Sequence, residues 1–155
     1  MTPEEFQALL RPMAERVRGR ALDKTLERDL NRDFPGDGEA VQALARACRE
    51  AIAAGWMCNR EAAGIRYGRV VKPQLELAGC SVDVVEMEDV KGPHHRHPNG
   101  EIDLIMPVTA TAKFDGHGAG WLVYGPGTAH HPTVTDGKAL VLYLLPEGAI
   151  EFTRS

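Results

Sequence analysis

The hydrophobic period of this chain changes once, near residue 65, and that change limits the fold to a helical part followed by a β part. Before it, Phe6, Leu9, Leu10, Met13 and Val17 recur at helical spacing. Thr2 fits the N-cap, Pro3 the first helical position and Glu5 the closing residue of a capping box. Pro12 is expected to kink or split this helix. Leu22, Leu26 and Leu30 form a second stripe, which stops at the breaker cluster Phe34-Pro35-Gly36-Asp37-Gly38. A third helix fits Glu39 to Ala54, with Val41, Leu44, Ala45, Cys48 and Ile52 on one face and Gly55 as its cap.

From Ile65 onward β-branched and aromatic residues rise and turn pairs recur at short intervals. Strands are expected around 69–72, 81–89, 101–107, 111–114, 120–124, 139–145 and 149–152, with Asp115-Gly116, Asp136-Gly137 and Glu147-Gly148 as hairpin turns. Many short antiparallel strands close most naturally into a sandwich or small barrel. The reading is an α+β chain in which residues 1–64 form a helical segment packed on the β-structure of residues 65–155. At 155 residues it has the size of one domain.

Composition removes several functions. The net charge of −4, with acids and bases mixed, provides no basic stripe for nucleic acid. The start Met1-Thr2-Pro3-Glu4-Glu5 has neither a cationic nor an apolar stretch, and no apolar run reaches membrane-spanning length, so a cytoplasmic protein with no membrane partner is expected. Cys48, Cys58 and Cys80 are widely spaced, without a CxxC pair, and read as small buried thiols.

Chemistry concentrates in the histidines. Five of the six lie in two segments, His94-His95-Arg96-His97-Pro98-Asn99-Gly100-Glu101 and the stretch ending Pro126-Gly127-Thr128-Ala129-His130-His131. On a strand His95 and His97 share a face, and Pro98-Asn99-Gly100 can turn the chain to bring Glu101 beside them. Three imidazoles and a carboxylate are a ligand set for a first-row divalent ion with positions left open. The Pro126-Gly127 turn would present His130 from a different strand, the fourth ligand could be His130 or its neighbour His131, and His117 belongs to a glycine-rich turn.

HxHxxxE from His95 to Glu101 followed by PGxxH from Pro126 to His130 resembles the two motifs of the cupins. Pro107 stands near where the first motif usually ends in glycine. Val82 to Met87, Gly92 to Asp103 and the ending Tyr143 to Phe152 are similar to the 4-hydroxylaminobenzoate lyase family over nearly the whole chain. The resemblance implies helices before a cupin-like antiparallel β-barrel, a double-stranded β-helix. It also implies conversion of 4-hydroxylaminobenzoate to protocatechuate with release of ammonia, in nitroaromatic degradation.

On that reading the metal ligands are His95, His97, Glu101 and His130, and the catalytic groups are Glu101, His97 and His130. The ion would be a divalent metal, with metal-free proton transfer by the same groups as the other version and no organic cofactor. The substrate, a small aromatic carboxylate, needs an anchor, for which Arg66 and Arg69 are candidates; Tyr124, Trp121 or Trp56 could stack on its ring. A homodimer or higher homo-oligomer is expected. Two other classes share the ligand set: a cupin oxygenase on an aromatic or thiol substrate, and a barrel that binds a small molecule without catalysis.

Overall fold

The computed structural model describes residues 1–154. Its helices are α1 (Pro3–Val17), α2 (Lys24–Asp33) and α3 (Glu39–Ala54). Strands β1 (Arg60–Ala62), β2 (Ile65–Val71), β3 (Cys80–Lys91), β4 (His95–His97) and β5 (Glu101–Pro107) follow. The chain continues through β6 (Lys113–Phe114), β7 (Gly120–Tyr124), β8 (Thr128–His130), β9 (Thr133–Pro146) and β10 (Glu151–Phe152). All pairings are antiparallel. One seven-stranded sheet runs β1-β2-β3-β9-β5-β7 with β6 also on β9, and a three-stranded sheet runs β10-β4-β8. The fold is α+β and cupin-like; its hydrogen-bond ladders form two sheets rather than one closed cylinder.

Directly opposed residues of antiparallel strands share a face, so register divides the large sheet cleanly. Val82, Val84, Ile102, Leu104, Leu142 and Leu144 lie on the face that packs with Phe6, Leu10, Leu26, Leu30 and Leu44 of the helices. Met87, Ile105, Leu122, Val141, Tyr143 and Leu145 lie on the other face, with Phe114. The helices also close a sheet edge. Asn31 of α2 donates its side-chain amide to the Trp121 carbonyl and accepts from the Trp121 N–H, while Glu27 accepts from the Val123 N–H, so β7 presents no free ladder there.

Thr2 caps α1 by accepting the Glu5 N–H at 3.1 Å, and Gly55 ends α3 in the left-handed conformation at φ 88°. α1 runs through Pro12 and is not split there. Pro12 and Ala8 are both exposed, so the Ala8 carbonyl that loses its helical donor faces water. Asp136-Gly137 is likewise no hairpin turn: β9 runs through it, and the ladder with β3 is irregular between Glu88 and Val90. Strand structure begins at Arg60 rather than Ile65.

Candidate metal centre

Alternation along β4 buries His95 and His97 and turns Arg96 outward to Glu151 of β10. The chain then reverses through Gly100, at φ 86°. A Cβ there would stand 2.6 Å from Leu22 Cδ2 and 2.7 Å from the Tyr124 carbonyl, so conformation and space both demand glycine. Glu101, the next residue, opens β5. His130 ends β8, directly opposite His95. The three histidines therefore sit on neighbouring strands of the small sheet, and Glu101 reaches them from the large one. The sequence pairs Glu101 with His95 and His97 and sets His130 apart; long-range register reverses that grouping.

One ligand atom from each of the four residues lies within 4.8 Å of every other. His95 Nε2 is 3.1 Å from His130 Nε2 and 3.5 Å from Glu101 Oε1. Glu101 Oε2 is 3.2 Å from His97 Nε2 and 3.6 Å from His130 Nε2. Donors about 2.1 Å from one ion stand roughly 3.0–3.4 Å apart in octahedral or tetrahedral arrangement, so these separations match a shared cation. His97 Nε2 and both Glu101 oxygens are buried without a hydrogen-bond partner, a costly arrangement that a cation or proton relieves. The residues present fit a divalent metal.

Electrostatics agree. Burial alone would raise the Glu101 carboxyl, but His130, His95 and His97 hold it well below the usual carboxylate range. Burial alone would lower His130, yet Asp115 and Glu101 carry it up to about 9. Burial and the neighbouring Glu101 push Asp103 well above its ordinary value; it shares the Glu101 face of β5 and is fully buried.

Around the four, His97 Nδ1 is 3.0 Å from Thr128 Oγ1, whose hydroxyl donates to the Gly125 carbonyl. His130 Nδ1 is 2.6 Å from Asp115 Oδ2, to which the Tyr124 hydroxyl also donates at 2.5 Å. Local sequence marks Asp115 only as a hairpin residue; its contacts to His130 and Tyr124 arise from tertiary placement. The Tyr124 ring lies against those of His130 and His97, with centroids 4.6 and 5.4 Å apart. The other histidines stand outside: His131 Nδ1 faces the Gly92 carbonyl, His94 Nδ1 meets Thr153, and His117 closes the Asp115-Gly116 hairpin against Phe114.

The expected carboxylate anchor is one of two arginines. Arg66 pairs with Glu86 opposite it, in line with Leu140 and Met106 on the helix-covered face of the sheet, away from Glu101. Arg69 lies in the row Asp83, Tyr143, Asp103, on the Glu101 face, and bonds Asp83 and the Gly148 carbonyl. Trp121 donates to the Phe34 carbonyl and Trp56 meets Phe6 edge-on, so both serve the helical side. The cysteines are buried and free, with Cys48 and Cys58 pushed up to about 12 and Cys80 to about 11, chiefly by burial.

Helices over a pair of sheets, with three imidazoles and a carboxylate converging between them, define an α+β protein of cupin-like fold with a candidate divalent-metal centre. Comparison with known families is more specific. Residues 8–152 match the 4-hydroxylaminobenzoate lyase family, and the chain belongs to it; it is an enzyme of the lyase type. Two relatives bearing the name 4-hydroxylaminobenzoate lyase are similar along their length. One, from Nocardioides sp. (strain LMS-CY), is 29% identical, covering 97% of this chain and 95% of its own. The other, from Pseudomonas putida, is 28% identical over 96% and 94%. Among solved structures, an RmlC-like cupin protein from Ralstonia eutropha is 12% identical with TM-score 0.46, covering 61% of this chain and 62% of that one. No helix among the described residues is long and apolar enough to cross a membrane.

Proposed function

We propose that this chain converts 4-hydroxylaminobenzoate to 3,4-dihydroxybenzoate, protocatechuate, with release of ammonia. The observation that carries the reading is the family match over residues 8–152, a span that contains the whole His3Glu cluster. The reaction balances with water as its only net co-reactant. Nitrogen gains two electrons as the N–O bond breaks and its oxygen departs as water, and the neighbouring ring carbon loses two as it acquires a hydroxyl from water. A second water then adds at the carbon bearing nitrogen and the C–N bond breaks to release ammonia, so that one water is consumed overall. No external oxidant is needed, which separates this chemistry from oxygenation.

Such a rearrangement calls for an acid at the N–OH oxygen and a base for water. His95, His97, Glu101 and His130 would hold a divalent cation, which when bound supplies a Lewis acid for that oxygen and lowers the pKa of water. Without the cation, Glu101, His97 and His130 form the proton-handling set, with the imidazole nitrogens 3.2 and 3.6 Å from Glu101 Oε2. The ring of Tyr124 offers the substrate ring a face. Arg69 anchors the substrate carboxylate; its position on the Glu101 face favours it over Arg66.

The test is anaerobic incubation of the purified chain with 4-hydroxylaminobenzoate. Stoichiometric ammonia and protocatechuate are expected, and a strict requirement for oxygen would replace the lyase reading with the oxygenase one.

A further inference from the structure

Asp115 occupies the first position of the tight turn between Phe114 and His117, at φ 49°, followed by Gly116 at φ 82°. This left-handed geometry is one that Asp and Asn tolerate better than most residues. Its main-chain N–H donates to the Thr133 carbonyl at 2.8 Å. In return its Oδ1 accepts the Thr133 N–H at 2.9 Å. Oδ2 accepts the Tyr124 hydroxyl at 2.5 Å and stands 2.6 Å from His130 Nδ1. One carboxylate thus holds the segment bearing His130 at its backbone and at its imidazole, and Tyr124 fixes that carboxylate from a third strand.

A carboxylate engaged in this way only accepts. The proton between Asp115 and His130 therefore lies on Nδ1, which leaves Nε2, 3.6 Å from Glu101 and 3.1 Å from His95 Nε2, as the nitrogen that can give its lone pair to a cation bound among them. We infer that Asp115 is a positioning residue: it selects the tautomer and the ring orientation with which His130 contributes Nε2 to the centre. Hydrogen bonding of a ligating imidazole to a carboxylate also raises its basicity toward a cation. Tyr124 acts one step further out, as the donor that keeps Oδ2 in place, so its hydroxyl has a function separate from its ring.

The inference rests on the metal-centre part of the proposed function, and the experiment keeps the two apart. The full chain, stripped with a chelator, is titrated with Co2+ and followed by calorimetry and by ligand-field absorption, for the wild type, Asp115→Asn and Tyr124→Phe. Asn retains the turn geometry, so thermal unfolding should stay cooperative. Asp115→Asn is expected to weaken Co2+ binding about 10- to 100-fold and to shift the ligand-field bands, a change that a purely structural turn residue would not produce. Tyr124→Phe is expected to shift affinity and bands in the same direction by a smaller factor.

Wild-type affinity and bands in Asp115→Asn, with the wild type binding, overturn the inference and leave the metal centre standing. A wild type that takes up no Co2+ overturns both. If Asp115→Asn fails to fold, Tyr124→Phe decides, and its unchanged affinity overturns the inference.

Discussion

At the residue scale, Glu101 is the pivot: a carboxylate with no exposed surface, held ionised by three imidazoles that are themselves buried or nearly so. Removing His97 leaves one Glu101 oxygen without its nearest neighbour. His97→Ala is therefore expected to lose most bound metal, measured by elemental analysis on protein that still unfolds cooperatively. The histidines also set a pH dependence. His130 is carried from an ordinary 6.5 up to about 9 by Asp115 and Glu101. In chelated protein a raised folded-state value contributes stability that is complete below pH 6.5 and lost as pH climbs through 9. The unfolding midpoint of the chelated chain should fall across that window, and His130→Gln should flatten the decline.

At the scale of elements, two local features make separate claims. Pro12 sits inside α1 on the solvent side, where it removes a helical hydrogen bond. Replacing it by alanine should raise stability by roughly 1–3 kcal/mol, read from denaturant midpoints at constant slope. Gly100 is the reverse case. A side chain there meets Leu22 and the Tyr124 carbonyl in a backbone conformation already unfavourable for it, so Gly100→Ala should cost at least about 1–3 kcal/mol and displace Glu101. Loss of stability without any loss of metal uptake would show that the turn does not aim the carboxylate.

At the scale of the whole molecule, a divalent ion at about 100 times its dissociation constant should add about 2.7 kcal/mol to unfolding, visible as a concentration-dependent rise in Tm. The same scale explains what could be read from sequence. α3, β5 and β7 have the bounds that local pattern and punctuation dictate, because caps and apolar runs act within a few residues. The four clustered residues were legible because HxHxxxE and PGxxH are short. What was not legible depends on pairing between distant strands. The parity of Arg66 and Arg69 could be read, but not which face meets the helices. Asp136-Gly137 carries the composition of a turn, yet its partner strand β3 keeps β9 continuous. Asp115 looked like punctuation because its contacts lie on β7, β8 and β9.

The small sheet is a ribbon of strands three, three and two residues long, bearing all three histidines, while Glu101 belongs to the broad sheet under the helices. So short a ladder has little cohesion of its own. An ion shared by the histidines and Glu101 is thus a rivet between two bodies as much as a reagent. Chelation should loosen the ribbon first, with amide exchange quickening at Arg96, Ala129 and Phe152 while the β3–β9 ladder stays protected, and apoprotein should be nicked by proteases in the same place.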